Sequence, residues 1–562
     1  MEHESKQRCR LHGDGVTDAI DRTIGVPGLE TYDFIIVGAG SAGGALAYRL
    51  SESGKHSVLL LEAGRSGHIY SPVPMGMAKL IDNPAANWCY QAEPEPAMAE
   101  RALPVPRGKL LGGSSSINGM VYVRGQALDY DNWAQLGNRG WSFADVLPVF
   151  RRMEHYEQRD SADPALRGGG GPLRVREVPD RNPLYDALFA AGEQVGLARN
   201  ADYNGVDQEG MSKTQTTISK GRRMSTAHCY LRPARRRTNL NVQSEALAEQ
   251  LLLDGKRCVG VRYRQGDSIR EARVHHEVIL CGGAINSPQL LELSGIGRPD
   301  VLSASGIEVA HALEGVGESL RDHLSPRMGW TLQPKGVSFN ERARGVGLAW
   351  QMMRYAVTRG GFMSLPSAPV LAFLKTREGL ATPDVQVHFM PFTYDSKGDL
   401  HPLPGMTGIL YQMRPESLGS IHIRLRDPSM PPAIRFNFLD NELDRRTTID
   451  SVHWTRKIVN ASAMDALRGK EYKPGPDVTA DDEILDWVRR TAETAYHPVG
   501  TCKMGSDAKA VVDERLRVHG MDGLRIADGS IMPTLVSGNT NAACMMIGER
   551  CSDFVLEAVA AS

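Results

Sequence analysis

Apolar residues fall in short unbroken runs, each stopped by glycine or by an acid. Tyr32-Asp-Phe-Ile-Ile-Val37 runs into Gly38 and predicts a buried parallel strand. The glycine loop Gly38-Ala-Gly40-Ser41-Ala42-Gly43 follows, and the Ala- and Leu-rich stretch Gly44–Ser53 predicts a helix. His56–Leu61, with Val-Leu-Leu-Leu at its apolar end, predicts a second strand closed by Glu62. Farther on, residues 239–260 read as strand, turn at Asp254-Gly255 and strand, and His275–Cys281 as an apolar strand entering Gly282-Gly283. Four consecutive glycines at 168–171 read as a flexible loop. Glycine-rich motifs return near 496–550, and no internal repeat is present.

Strand, glycine turn, helix, strand and acid within about 30 residues specify dinucleotide binding. Gly38 permits the tight turn. Gly40 lets a pyrophosphate approach the backbone at a helix N-terminus, where free N–H groups favour an anion. Gly43 lets helix and strand pack closely. Glu62 lies 19 residues past Gly43, where a carboxylate can accept from ribose hydroxyls, and it argues against a 2′-phosphorylated cofactor. A second backbone-exposing segment, Arg107-Gly-Lys-Leu-Leu-Gly112-Gly113-Ser114-Ser-Ser-Ile117-Asn118-Gly119-Met120-Val121, has no bulky side chain between Gly112 and Ile117. Such a run suits a flat ring system, so a flavin is expected in place of nicotinamide.

The chain has 562 residues, too many for one ordinary core, so two domains are expected. With 65 basic and 66 acidic residues the net charge is −1, which gives no electrostatic case for nucleic acid. The densest basic run, Arg235-Arg-Arg237, reads as a solvated turn. The eight cysteines form no Cys-x-x-Cys pair, so no zinc or dithiol site is expected and no metal is assigned. No apolar run reaches the roughly 18 residues of a bilayer span, and the polar first 30 residues lack the core of a secretion signal. A cytoplasmic protein is expected, with peripheral membrane contact left open.

The two glycine loops resemble those of the glucose-methanol-choline (GMC) oxidoreductases. The resemblance runs from about 31 to 555. One family signature matches Gly108–Asp131 and a second Gly283–Gly297, joined by Asn87-Trp88, Gly315-Val-Gly317, Asp322-His323-Leu324 and Ala527–Pro533. The chain is more similar to the bacterial choline and alcohol dehydrogenases than to the fungal glucose oxidases. The resemblance implies an α/β fold: a discontinuous Rossmann-like FAD-binding domain over 31–330, with substrate-domain insertions within about 130–205. A sheet-and-helix substrate domain would cover 331–490, and a C-terminal return, 491–562, would carry the active-site residues after a polar extension at 1–30. It implies FAD held by Gly38, Gly40, Ser41, Ala42, Gly43, Glu62 and Ala63. Trp88, Gly112, Gly113, Ser114, Asn118, Gly119, Met120 and Val121 would lie along the ring, Ala248 at the adenine. Asp528, Gly529, Thr540, Asn541 and Ala542 would close over pyrophosphate and flavin. Ile117 stands where some choline oxidases carry the histidine that bonds FAD, so a non-covalent flavin is expected.

Alcohol oxidation requires a base for the hydroxyl proton and an acceptor for the hydride, and histidine suits the first task. Among 16 histidines, His497 stands out in Tyr496-His-Pro-Val-Gly500, and the family places its base there. Asn541 in Ser537-Gly-Asn539-Thr-Asn541 matches the family's His-or-Asn partner position, with Asn539 two residues away as the rival. His323 reads as structural. The expected activity is oxidation of a primary alcohol to an aldehyde, by a monomer or homodimer, with a quinone, a dye or O2 as acceptor. Choline is the rival substrate, an O2-using oxidase the rival chemistry, and hydroxynitrile cleavage a remote one.

Overall fold

The computed structural model describes residues 30–158, 162–333, 335–394 and 400–561. The expected polar extension at 1–30 therefore lies almost wholly outside the described residues. Two sheets organise the chain. The first places Leu240–Gln243, Val58–Leu61, Glu30–Val37 and Ser268–Leu280 side by side and parallel. Ser268–Leu280 then divides its second edge. Its start pairs with the hairpin Ala246–Asp254 and Arg257–Gln265, and its end pairs in parallel with Leu524–Ile526. The central strands read Ile, Val and Leu because both faces are covered: Phe34, Ile35, Ile36, Val58, Leu59 and Leu60 are fully buried.

The first helix, Ser41–Leu50, starts three residues before the sequence expectation and stops three residues earlier. Gly40 caps it without a side-chain acceptor, and the Ser51 hydroxyl closes the other end by donating to the Ala47 carbonyl. Gly38 sits at φ +103, and a Cβ on Gly43 would lie 1.9 Å from the Gly38 carbonyl oxygen. Strand and helix can approach this closely only with glycine at both places. The C-terminal helix Asn541–Ala561 packs against Ser41–Leu50, fastened by the ion pair Arg49–Glu549 at 2.7 Å.

The second sheet is antiparallel. Its order is Arg468–Lys473, Arg327–Leu332, Gly405–Gln412, Val385–Met390, Val370–Leu374 and Gly210–Lys213. Alternation along its strands separates two faces. Met406 and Leu410 bury themselves in the core that also holds Ile449 and Val452 of the helix Glu442–Val459. Thr407, Ile409 and Tyr411 face a cavity.

The glycines at 168–171 are only partly an open loop: Gly170 has free space around it, but Gly168 and Gly171 are packed. A Cβ on Gly168 would lie 2.0 Å from the Arg151 carbonyl oxygen, and one on Gly171 2.2 Å from the Met153 carbonyl carbon. Close backbone approach demands glycine there. The segment beside it carries a buried ion cluster: Glu154 meets Arg124 at 2.9 Å and Arg167 at 2.9 Å, and Arg167 meets Asp202 at 2.7 Å. Arg124 follows closely on the second glycine segment, so this cluster anchors that segment's end. Removing one partner of such a buried cluster costs about 3–5 kcal/mol. The basic run is not wholly solvated either, because Arg237 places its guanidinium over the Tyr48 ring at 4.3 Å.

Candidate active site

Four of the five parallel strands end at Val37, Leu61, Leu280 and Ile526, and the loops after these four border one cavity of about 1850 Å³. Ligands of open parallel sheets bind outside the carboxyl ends of the strands, and this cavity lies there. It exceeds the roughly 300–1,000 Å³ of a drug-sized pocket, leaving room for a dinucleotide and a second molecule.

Two helix N-termini, Ser41 and Asn541, open onto the cavity, and neither helix has an acid in its first turn. Both are suited to an anion. The Ser41 hydroxyl donates to the Asn541 side-chain oxygen at 2.7 Å, which locks the two ends together. The two glycine segments touch here as well: Gly112 N–H donates to the Ala39 carbonyl at 2.8 Å. Glu62 accepts from Ala39 N–H at 3.0 Å and Gly64 N–H at 2.8 Å, while burial raises its pKa to about 7. Two of its lone-pair sites remain for hydroxyls from the cavity. Asp528 accepts from Gly283 N–H, the Ser287 hydroxyl and Ser530 N–H, tying the loops at 283 and 529 together.

Gly38, Gly40, Ser41, Ala42, Glu62, Ala63, Trp88, Gly113, Ser114, Asn118, Gly119, Met120, Val121, Ala248, Asp528, Gly529, Thr540 and Asn541 all line the cavity. Gly43, Gly112 and Ala542 do not; they pack behind the lining. The Asn118 side chain is fixed by Arg223, which donates to both its carbonyl and its side-chain oxygen at 2.7 Å. Burial without a carboxylate partner pushes Arg223 down to about 9. No motif pointed to this residue. An anion-ready pair of helix ends, a free-edged Glu62 and a long cavity fit the diphosphate, ribose and ring of FAD.

His497 is placed by two antiparallel segments. Leu324–Ser325 pairs with Glu493–Thr494, and Arg321 and Val499 exchange backbone hydrogen bonds. One Asp322 oxygen accepts from His323 N–H at 2.7 Å and His497 N–H at 2.9 Å. Tyr496 bends the chain between them at φ +67, held by Arg107, which donates to its carbonyl, and by Thr494. Only a well-determined surrounding sustains that conformation in a tyrosine.

His323 therefore does more than pack. Its Nδ1 lies 3.0 Å from His497 Nδ1, and its Nε2 lies 2.9 Å from the Met413 carbonyl. A carbonyl only accepts, so His323 Nε2 carries the proton. Burial holds the His323 pKa at about 4, so its Nδ1 is a lone pair and accepts from His497 Nδ1–H. The His497 Nε2 lone pair is therefore the one on the cavity side, where Asn539 Nδ2 donates to it and a substrate hydroxyl would take that place. The sequence missed this role because the ring contact joins residues 174 positions apart.

The amide partner also differs from expectation. Asn539, not Asn541, faces the base: its Nδ2 donates to His497 Nε2 at 3.1 Å. Asn541 begins a helix and spends its side chain on Ser41, so it is turned toward the helix ends. A chain of donors fixes Asn539. Gln386 Nε2 donates to the Asn539 side-chain oxygen at 3.3 Å, the Tyr411 hydroxyl donates to Gln386 at 2.7 Å, and His388 Nε2 lies 3.1 Å from that hydroxyl. Burial, reinforced by the neighbouring His323, the Arg107 charge and His388, holds the His497 pKa well below 6.5. His388 itself is pushed to about 3 by burial.

This arrangement can take a proton from a hydroxyl bound in the cavity, and known proteins share the fold around it. The GMC oxidoreductase family models match residues 32–325 and 415–548. The oxygen-dependent choline dehydrogenase of Escherichia coli K12 is 41% identical over 548 residues, 93% of this chain and 95% of that one. Pyridoxine 4-oxidase from Mesorbium loti superposes with a TM-score of 0.84 at 29% identity, covering 93% of this chain and 98% of that one. A variant of Aspergillus oryzae formate oxidase, described for its FAD modification, gives 0.87 at 25%, covering 95% and 99%. The expected fold is thus present, with oxidoreductase chemistry on CH–OH donors and an FAD-dependent family behind it. On the family match alone, and on the long alignment that spans both sheets, the chain belongs to the GMC oxidoreductases.

Proposed function

We propose that the protein oxidises a primary alcohol to its aldehyde, with His497 Nε2 removing the hydroxyl proton. The observation that carries this reading is the tautomer. The Met413 carbonyl sets His323, His323 sets His497, and the lone pair that results faces the cavity beside Asn539. FAD, when bound, supplies the hydride acceptor. His497 and Asn539 together orient the hydroxyl and stabilise the developing alkoxide. The first sheet with both helix N-termini serves as the FAD domain, and the antiparallel sheet, through Tyr411 and His388, roofs the substrate. The expected Asn541 role passes to Asn539 in this reading. Choline is the substrate in the bacterial relative's name; for this chain it is the rival, since Glu493, the cavity-lining carboxylate tied to Tyr496 beside the base, is already held by Arg327.

Non-covalent FAD is part of the proposal. Ile117 packs with Leu80, Ala86 and Leu110 and offers no nucleophile. Acid precipitation should leave the yellow colour in the supernatant; colour retained on the pellet contradicts a dissociable flavin.

Peripheral membrane contact has a specific support. The helix Gly345–Thr358 buries Gln351 and Tyr355 and exposes Val346 (87%), Trp350 (57%), Met353 (54%) and Val357 (80%) along one stripe. It contains no acid, and Arg342, Arg344, Arg354 and Arg359 flank or join it. Leu348 and Met352 of the same helix border the cavity. Among the described residues no helix is long and apolar enough to cross a membrane. An apolar stripe with basic flanks suits the interface of an anionic bilayer. The protein should co-sediment with phosphatidylglycerol-containing vesicles and at least tenfold less after Trp350→Glu with Val357→Glu. Equal sedimentation of both proteins removes the helix from that role.

A further inference from the structure

Close to the base, the cavity wall carries more positive charge than the protein balances. Arg327 and Lys473 lie on adjacent antiparallel strands. Lys473 stands opposite Gly329, two residues from Arg327, so both side chains leave the same face of the sheet. That face borders the cavity, and Arg101 borders it beside them. One carboxylate answers these three cations. Glu493 meets Arg327 at 2.6 Å and accepts from the Tyr496 hydroxyl at 3.0 Å.

That leaves Lys473 and Arg101 without an anion and Arg327 with one donor unmet. Arg327 Nε is buried without a hydrogen-bond partner. Lys473 makes no hydrogen bond or ion pair among the described residues; the charges it feels are those of Arg327, Glu493 and Arg101. Arg101 spends its donors on the carbonyls of Met98, Arg489 and Ala492 and adds charge without a counter-ion. Burial and the neighbouring Arg327 lower the Lys473 pKa, which is the response of an ammonium held without an anion. Desolvated cations of this kind are retained at a cost unless something pairs with them.

We propose that Arg327 and Lys473 form a site for an acidic group on the substrate, so that the preferred alcohol carries a carboxylate. The site adjoins the chemistry. Tyr496, whose hydroxyl lies between Arg327 and Glu493, is the residue before His497. A hydroxy acid would put its hydroxyl at His497 Nε2 and its carboxylate at Lys473, within the field of Arg327. The same wall disfavours a quaternary ammonium. Tyr394 and Tyr472 could stack against such a cation, yet it would meet three like charges and a carboxylate already held by Arg327. This inference rests on the alcohol-oxidising reading but is separable from it.

Two measurements on the FAD-loaded enzyme test it. The first titrates unreactive hexanoate and hexyltrimethylammonium by calorimetry, which needs no turnover. Hexanoate should bind at least tenfold more tightly, and Lys473→Met should remove most of that preference. Equal binding, tighter binding of the cation, or a preference unchanged in Lys473→Met overturns the site. The second compares kcat/KM for 6-hydroxyhexanoate, 1,6-hexanediol and choline. The hydroxy acid should lead the diol at least tenfold, mainly through KM, with choline last, and Lys473→Met should narrow the acid-to-diol ratio. Diol and acid oxidised equally well would sink the anion site and leave alcohol oxidation standing. Hexanoate bound selectively while no alcohol is oxidised would keep the anion site and refute the activity.

Discussion

His497→Ala should keep its FAD and lose turnover by about 10²–10⁴-fold, the range over which a positioned base contributes. The side chain is inside the cavity wall, but its backbone N–H is held by Asp322 and its neighbours by Arg107 and Thr494. Those contacts survive truncation, so the segment should remain in place. The cofactor loops at Gly38–Gly43 and Asp528–Gly529 make no use of the imidazole. The check is paired: the flavin absorbance of the purified variant, and its rate of anaerobic reduction by a saturating alcohol. A yellow protein reduced at the wild-type rate would remove His497 from the role of base. A colourless protein would show that the residue holds the site together instead.

Asn539→Ala and Asn541→Ala should fail in different ways. Asn539 Nδ2 is the only amide donor to His497 Nε2 among the described residues, and its orientation is fixed by Gln386. Its loss removes a donor aimed at the position where alkoxide charge develops, worth about 10²–10³ in rate. Alcohol binding should weaken far less. Asn541 links two helix N-termini through Ser41, so Asn541→Ala should weaken FAD retention while the loaded fraction reduces at near the wild-type rate. Stopped-flow reduction and FAD release, measured on both variants, separate the two. The reverse pattern would return the catalytic amide to Asn541.

How much of this could be read from the chain follows the range of the interactions. The glycine loop, its flanking strands and Glu62 are contiguous, and each carries its reason in its own side chain. The strand ends at Leu280 and Ile526 were readable as motifs, because glycine marks where backbone meets ligand. His497 stood out through its neighbours. The rest depends on contacts across the fold. His323 acquires its role from a carbonyl at 413 and a ring at 497. Asn539 and Asn541 are chemically alike and two residues apart, and only the start of a helix between them decides which faces the base. Gly168 and Gly171 looked like freedom and are close packing. Arg223, Arg327 and Lys473 have no motif; Arg223 and Lys473 lack a partner of opposite charge, and Arg327 keeps one buried N–H unmet beside Glu493.

The central claim is that a neutral His497 removes the hydroxyl proton as the carbinol hydrogen leaves. It is tested most directly by anaerobic flavin reduction with an α-dideuterated primary alcohol across pH. The groups facing His497 are His323, His388, Arg107, Asp322 and Tyr411. Burial and the surrounding positive charge depress its pKa below 6.5, so the base form persists as pH falls to 6.5 and is lost only on passing below it. The account predicts that deuterium slows flavin reduction several-fold and that the acid limb of the rate profile lies below pH 6.5. A flavin that bleaches at the same rate with both isotopologues, or an acid limb above pH 7, would contradict it.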